Sequence, residues 1–289
     1  MRRPCAVVRE APAMAMLPLG DIDLYWERRG AGPRLLFVNG SASTIESSGP
    51  LIDSFARQFE VAVHDQRGLG RTTVPERQPT MADYAHDAVA LLDHIGWERA
   101  NVFGISFGGM VAQEVAVTWP ERVDRLVLCC TSPGGAGGSS YPLDEVATVP
   151  LDEQIRTWTR HLDVRFDDAW LADHPGDRAI ADLLRTRLSA PKTDVQRRGE
   201  LLQVVARRDH DVWERLGRIT SPTLVACGAY DGVAPRPNSE AIASRIPNAQ
   251  LRCYEGGHIF VYQDPQAMPD IIEFLQTRSP ATSAAAPSS

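Results

Sequence analysis

The fold is decided by one stretch of the sequence, Asn101-Val102-Phe103-Gly104-Ile105-Ser106-Phe107-Gly108-Gly109-Met110. Its first half is apolar and predicts a buried strand, and it continues directly into a helix-forming run that reaches Val117. Where a strand reverses straight into a helix, the residues two before and two after the turn are crowded and must be small. Gly104 and Gly108 meet that requirement. The turn therefore predicts that Ser106 projects its hydroxyl into the open, where a base and a substrate can reach it.

The rest of the chain alternates buried strands with helices around this stretch. Continuous apolar runs are typical of parallel strands that are covered on both faces, and they occur at 35–38, 61–63, 126–130 and 223–227. Helical spacing of apolar residues occurs at 80–95, 239–245 and 265–277, an edge hairpin is expected within 14–28, and a last strand at 251–254. This alternation predicts an α/β fold with a doubly wound, mostly parallel sheet of eight strands.

The alternation is interrupted after Thr131. Residues 135–218 have helical character, with helix-like runs at 178–188 and 195–207, and are interpreted as a helical cap inserted into a core of residues 14–134 and 219–277. Such a cap would lie over the carboxyl ends of the strands, where open parallel sheets bind ligands. Residues 1–13 and 278–289 are expected to be disordered, since the first stretch precedes the first strand-like segment and the last is rich in Ser, Ala and Pro.

Composition excludes several classes of function. The chain has 289 residues, 43% of them hydrophobic, which is enough for a large core, and its net charge of −7 argues against a nucleic-acid partner. No apolar run approaches the length of a membrane span, and Arg9 and Glu10 interrupt the signal-like start, so we expect a cytoplasmic protein without a membrane partner. Five cysteines form no C-x-x-C pair and are expected to be buried reduced thiols. Oligomeric state is not readable from the sequence.

Three residues that follow strand ends could act together. A serine nucleophile needs a base, and the base needs an acid that holds it in the right tautomer. Asp231 follows the strand 223–227, and His258 follows the strand 251–254. The order Ser106, Asp231, His258 is the one found with a strand-turn-helix nucleophile. Because parallel strands end at the same edge of a sheet, we expect these side chains to converge.

An oxyanion also needs two backbone N–H donors. One is predicted at Phe107, directly after the nucleophile, and the other in the loop 39–44, at Ser41. A further set is assigned to the substrate pocket, although tryptophans of a cap more often pack in its core: Asn39, Gly40, Ser132, Trp158 and Trp170.

Other candidates for these roles are weaker. His64 is the rival base, but it is followed by Asp65 in a turn segment, and Asp65 and Arg67 are interpreted as residues that fix the loop. Asp124 is a rival acid, but it would lie at the wrong end of the sheet. The remaining histidines lack metal-ligand spacing, and no glycine-rich stretch continues into a nucleotide-binding loop. We therefore expect neither a metal nor a cofactor.

These motifs resemble the α/β-hydrolase superfamily from about residue 14 to 277. The resemblance is strongest to the small-cap branch of cofactor-free haloperoxidases or perhydrolases, 3-oxoadipate enol-lactonases and related esterases. It is carried by four segments, 65–70, 104–109, 228–235 and 257–258, while Asn39-Gly40 stands where that family usually has His-Gly and Phe107 where it often has Met. The resemblance implies that Ser106 is the nucleophile, Asp231 the triad acid and His258 the base.

The expected function is hydrolysis of a small-molecule carboxylic ester or lactone through an acyl-enzyme. A serine at position 106 excludes the alkyl-enzyme route, which needs an aspartate there. Two alternatives use the same triad, namely hydrolysis of a carbon–carbon bond in a β-diketone and perhydrolysis of acids. A non-enzymatic alternative is a small-molecule receptor on the same scaffold.

Overall fold

Eight strands form one sheet in the computed structural model, which describes residues 13–146 and 148–277. The strands are β1 (Ala13–Pro18), β2 (Asp23–Arg29), β3 (Arg34–Val38), β4 (Glu60–His64), β5 (Ala100–Ile105), β6 (Val123–Cys129), β7 (Thr223–Gly228) and β8 (Ala249–Tyr254). Their order in the sheet is β1-β2-β4-β3-β5-β6-β7-β8. β2 pairs antiparallel with β1 and with β4, and every other pair is parallel. The predicted eight-stranded, mostly parallel sheet is confirmed.

Helices cover both faces of the sheet, so each face has its own apolar core. On one face pack α2 (Met81–His94), α3 (Phe107–Thr118) and α9 (Arg236–Arg245). On the other pack α1 (Gly49–Ala56), α10 (Phe260–Gln263) and α11 (Ala267–Gln276). The central strands are buried along almost their whole length, which explains why their sequences are continuously apolar rather than alternating.

The helical insertion lies between β6 and β7. It contains α4 (Leu143–Val146), α5 (Leu151–Leu162), α6 (Asp168–Asp173), α7 (Pro175–Ser189) and α8 (Asp194–Arg208). Part of it has a small apolar cluster of its own, built on Leu162, Phe166, Leu171 and Ala181. The insertion itself was predicted, whereas its proposed limits at 135 and 218 remain a prediction. The described part of the chain has no helix that combines the length and the hydrophobicity needed to cross a bilayer.

Some details differ from the sequence prediction. The first strand begins at Ala13, which had been assigned to a disordered terminus, and the rest of that assignment (1–12 and 278–289) lies outside the described residues. Helix α1 was not predicted. Cys129, Cys130 and Cys227 are buried as expected, Cys253 is exposed, and Cys5 lies outside the described residues. The prediction for Cys253 was wrong because β8 is an edge strand, so that one of its faces and its outer edge meet solvent.

Candidate active site

The turn at Ser106 has the strained geometry that its sequence predicts. Ser106 has φ 56° and ψ −119°, a conformation that side-chain-bearing residues rarely adopt. A Cβ at position 104 would collide with the carbonyl oxygen of Gly108 and lie 2.7 Å from the Cβ of Ala112. A Cβ at position 108 would collide with the carbonyl oxygens of Val38 and Asn39. Glycine at both positions therefore lets β5, α3 and the end of β3 meet, and Ser106 stays half-exposed above the sheet.

The three residues predicted to act together form a continuous hydrogen-bonded chain. The distance from His258 Nε2 to Ser106 Oγ is 3.0 Å, and from His258 Nδ1 to Asp231 Oδ2 it is 2.8 Å. The other carboxylate oxygen of Asp231 accepts the backbone N–H groups of Val233 and Ala234, both at 2.8 Å. These N–H groups fix the carboxylate plane, so that Oδ2 faces the imidazole. This arrangement orients a base against a hydroxyl, which is the geometry that nucleophilic catalysis requires.

The cap contributes directly to the placement of both loops that carry Asp231 and His258. The backbone at the end of α5 lies between these loops. The carbonyl oxygen of His161 accepts the N–H of Gly232 at 2.9 Å, and that of Leu162 accepts the N–H of His258 at 2.6 Å. Val164 donates its N–H to the carbonyl oxygen of Tyr230 at 2.9 Å. A Cβ at position 257 would collide with the carbonyl oxygen of Leu162, so the glycine there allows this close approach.

The two predicted oxyanion donors lie beside the nucleophile. Phe107 is the first residue of α3, where a helix has N–H groups without intrahelical acceptors. The loop 39–44, which we call the oxyanion loop, passes close to Ser106, because a Cβ at position 40 would lie 3.5 Å from the Cβ of Ser106. Among residues 13–146 and 148–277, no acceptor is paired with the backbone N–H of Ser41 or of Phe107. Both groups are thus available to a ligand.

Asp65 and Arg67 have structural contacts of the kind predicted for them. Asp65 accepts the N–H of Ile45 at 2.7 Å and that of Arg71 at 3.0 Å, so it holds the residue that follows the oxyanion loop. Arg67 makes a bidentate, buried ion pair with Asp87 of α2, with both N–O distances 2.6 Å. These contacts fasten the loop after β4 to its neighbours.

The rival candidates lie in unsuitable surroundings. His64 is buried, and desolvation lowers its pKa to about 4, so it stays neutral and makes no described contact with Ser106. Asp124 is the second residue of β6, at the amino-terminal end of the strand, and pairs with Arg99 at 3.0 Å. Neither residue is therefore placed to act on Ser106.

Three of the five predicted pocket residues lie at strand ends of the core. Asn39, Gly40 and Ser132 lie at the carboxyl ends of β3 and β6, and Asn39 and Ser132 are fully buried. Ser132 also lines a cavity of about 140 Å³ together with Met110, Tyr141 and His210.

The other two predicted pocket residues, Trp158 and Trp170, lie in the cap. Trp170 donates its indole N–H to Asp177 at 2.8 Å, stacks on His174 and lies under the Arg165 guanidinium. Trp158 is half-buried on α5. The described contacts of Trp170 are thus made within the cap, as expected for cap core, and its assignment to the pocket remains a prediction.

One group of potential metal ligands lies close together in the described part of the chain. Ligand atoms of Cys130, Asp231 and His258 all lie within 4.8 Å of one another. However, Nδ1 of His258 is engaged with Asp231, and burial together with the Asp231 carboxylate raises the pKa of the Cys130 thiol well above its ordinary value. A thiol that stays protonated is a poor ligand, so this geometry favours a hydrogen-bonded triad over a metal centre.

Sequence reasoning missed the residues that act through backbone groups. The end of α5 at 161–164 has no pattern that marks it as a partner of the loops that carry Asp231 and His258, because the contacts are made by main-chain atoms. Two glutamines that contact the oxyanion loop, Gln66 and Gln203, were also missed. A single glutamine on a helix or in a turn carries no readable signal in a sequence.

Comparisons with known proteins identify the family to which the fold belongs. The family model of the α/β hydrolase fold matches residues 33–159. A putative carbamate hydrolase RutD of Caulobacter sp. (strain K31) is 30% identical over 237 residues, which cover 78% of this chain and 84% of the relative. A poly(3-hydroxyalkanoate) depolymerase of Ectopseudomonas oleovorans is 29% identical over 243 residues, 84% of each chain. 3-Oxoadipate enol-lactonase 2 of Acinetobacter baylyi is 25% identical over 252 residues, 85% of this chain and 89% of the relative.

This chain belongs to the α/β-hydrolase family. The resemblance inferred from its motifs is confirmed, including the likeness to enol-lactonases. Fold and relatives together make it a hydrolase.

Proposed function

We propose that this hydrolase cleaves a small-molecule carboxylic ester or lactone, with Ser106 as nucleophile and an acyl-enzyme as intermediate. The observation that carries the proposal is the hydrogen-bonded chain from Ser106 through His258 to Asp231, with distances of 3.0 and 2.8 Å. A hydroxyl, an imidazole and a carboxylate in this order supply the nucleophile, the proton acceptor and the group that orients it.

The acylation half-reaction follows from this arrangement. His258 Nε2 removes the proton from Ser106 as its oxygen attacks the carbonyl carbon, and the imidazolium is stabilised by the carboxylate of Asp231. The negative charge that develops on the carbonyl oxygen is stabilised by the N–H groups of Phe107 and Ser41. The tetrahedral intermediate then collapses, the bond to the leaving alkoxide breaks, and His258 Nε2 returns the proton to that oxygen.

The deacylation half-reaction repeats these steps with water. His258 takes a proton from a water molecule, whose oxygen attacks the acyl carbon of the ester formed with Ser106. The same two N–H groups stabilise the second oxyanion. The carboxylic acid leaves when the Ser106 oxygen recovers a proton from His258, which restores the free enzyme.

The names of two relatives support an ester or lactone substrate. One relative is a poly(3-hydroxyalkanoate) depolymerase and another is a 3-oxoadipate enol-lactonase, and each aligns with more than four-fifths of this chain (84% and 85%).

Turnover of p-nitrophenyl acetate and butyrate tests the proposal, together with labelling by a fluorophosphonate. Wild-type protein should hydrolyse the esters and bind the label at Ser106, and Ser106→Ala should lose both properties. Ser244→Ala is the matched control, because Ser244 is exposed on α9 and bonds only a carbonyl oxygen of its own helix. Ser106→Ala with wild-type activity would contradict the proposal.

Product analysis then separates the alternatives that use the same triad. If the protein hydrolyses a carbon–carbon bond of a β-diketone, or forms a peracid from an acid and peroxide, faster than it cleaves an ester or lactone, that reaction is the preferred one. A compound that raises the melting temperature without being turned over would instead indicate a receptor.

A further inference from the structure

The oxyanion loop contains a strained residue that is not glycine. Ala42 has φ 52°, in the left-handed region that residues with a Cβ usually avoid. It lies in a tight turn, in which Ser43 donates its N–H to the carbonyl oxygen of Gly40 at 3.3 Å. Since this conformation is intrinsically unfavourable for alanine, contacts from elsewhere in the molecule must hold it.

Two helices of the cap bind the main chain of Ala42. Its N–H donates to Oε1 of Gln203 on α8 at 2.8 Å, and its carbonyl oxygen accepts from the guanidinium of Arg187 on α7. Arg187 also reaches the carbonyl oxygen of Ser41 at 3.5 Å. The cap therefore contacts the peptide units on both sides of the Ala42 Cα.

The side chain of Gln203 connects this contact to the other end of the turn. Gln203 is completely buried, and its amide donates to Oε1 of Gln66 at 3.3 Å. Gln66 in turn donates to the carbonyl oxygen of Asn39 at 2.5 Å. The two glutamines thus fasten the turn at Asn39 and at Ala42, on either side of Ser41.

These contacts determine where the N–H of Ser41 points. In a trans peptide the C=O and N–H groups point in opposite directions. Because the carbonyl oxygen of Gly40 faces Ser43 inside the turn, the N–H of Ser41 in the same peptide faces outward. That orientation holds only while the turn keeps its shape, which depends on the left-handed Ala42.

We propose that Gln203, assisted by Arg187, is a positioning residue that holds the oxyanion loop in the conformation in which the Ser41 N–H stabilises the oxyanion. The inference rests on the proposed function of Ser106. Neither side chain touches substrate in this role. Both act through the main chain of Ala42, and the cap thereby completes the oxyanion hole as well as covering the site.

A comparison of oxygen and sulfur esters tests the role of these residues. A thionoester presents C=S, a weak hydrogen-bond acceptor, in place of C=O, so it gains little from an oxyanion hole. For p-nitrophenyl butyrate, Gln203→Met should lower kcat about 10- to 100-fold with KM within about twofold, since one of two donors is misplaced. For the matching thionoester the loss should be less than about threefold.

The ratio of kcat for the oxygen ester to kcat for the thionoester measures this effect. Arg187→Met should lower that ratio as well, by about 3- to 10-fold. Arg185→Met is its matched control, because Arg185 is also exposed on α7 but makes no described contact with the oxyanion loop, and it should leave the ratio unchanged. Gln203→Glu keeps an acceptor for the Ala42 N–H but loses the amide that donates to Gln66, so its ratio should fall between those of wild type and Gln203→Met.

Each outcome decides between explanations. Wild-type protein that neither hydrolyses esters nor labels at Ser106 would refute the proposed function itself. Active wild type with an unchanged ratio in both Gln203→Met and Arg187→Met would overturn the positioning role. An equal loss for both ester types, with a lowered melting temperature, would also overturn it and assign Gln203 to stability alone.

Discussion

Asp231 contributes to the site through both of its carboxylate oxygens. One accepts two backbone N–H groups and the other accepts His258 Nδ1. Asp231→Asn keeps the size of the side chain but places an N–H where His258 needs an acceptor, so the imidazole adopts the wrong tautomer. We expect kcat for p-nitrophenyl butyrate to fall about 10³- to 10⁴-fold. Stopped assays measure kcat, and a thermal melt of the same preparation shows whether the variant is as stable as wild type.

Asp124→Asn is the matched control for Asp231→Asn. Asp124 lies at the opposite end of the sheet, and its side chain is 47% exposed in a pair with Arg99. Its replacement should leave kcat unchanged. Retention of more than a tenth of wild-type activity by Asp231→Asn would show that another group orients His258.

At the level of single residues, the sequence predicts a site from residues that follow strand ends. Ser106, Asp231 and His258 each follow a parallel strand, and the topology alone brings such positions to one edge. Gln203 could not be found in the same way. It lies on α8, 161 residues from Ala42, and only the packing of the cap on the core brings the two together.

Among the connections between secondary-structure elements, the turn between β5 and α3 leaves little room for change. Gly108→Ala would place a methyl group against the carbonyl oxygens of Val38 and Asn39, which are main-chain atoms that cannot rotate away. We expect the free energy of unfolding to fall by about 3 kcal/mol or more, because overpacking displaces backbone. Activity should fall as well, since Asn39 begins the oxyanion loop. Urea denaturation with paired ester assays measures both effects.

Gly176→Ala on α7 is the control for Gly108→Ala, and we expect it to stabilise the protein. A Cβ at position 176 has no atom within 4 Å among the described residues, and the backbone is helical. Alanine is a better helix former, so this variant should be more stable by about 0.5–1 kcal/mol. Equal destabilisation by both substitutions would contradict the steric explanation for Gly108.

Element prediction succeeded where periodicity or continuous burial was strong. α2 was predicted from its apolar spacing, and Thr80 and Asp83 form a reciprocal cap at its start. α1 was missed because it has only eight residues and opens with Gly49-Pro50, a pair that also marks turns. The proline at its first turn was an available signal, because proline is favoured there.

For the molecule as a whole, Asp163 links the cap to the core. It is fully buried, accepts three hydrogen bonds from Arg165 and one from Gln263 at the end of α10. Asp163→Ala removes the acceptor of these four hydrogen bonds next to the loop of His258. We expect a loss on the order of 3 kcal/mol in the free energy of unfolding. Asp194→Ala removes an ion pair whose carboxylate is 96% exposed and should cost less than about 1 kcal/mol.

The stability of the whole chain should also depend on pH through His64. Burial lowers its pKa to about 4 from an ordinary value of 6.5. Below pH 6.5, His64 therefore binds a proton in the unfolded chain but not in the folded chain. The free energy of unfolding decreases as the pH falls toward 4. This single group should account for on the order of 3 kcal/mol between pH 7 and 4. His64→Gln should remove that part of the pH dependence.

Urea denaturation of both proteins at several pH values measures the difference. Burial raises the pKa of Asp65 and of Asp87, which acts in the opposite direction, but both residues are present in either protein and their contributions cancel in the comparison. His86→Gln is the matched control, because it makes the same substitution at an exposed histidine on α2. If His64→Gln kept the wild-type slope, His64 would have to accept its proton in the folded chain as readily as in the unfolded one, and the strand end that precedes Asp65 would have to be open to water.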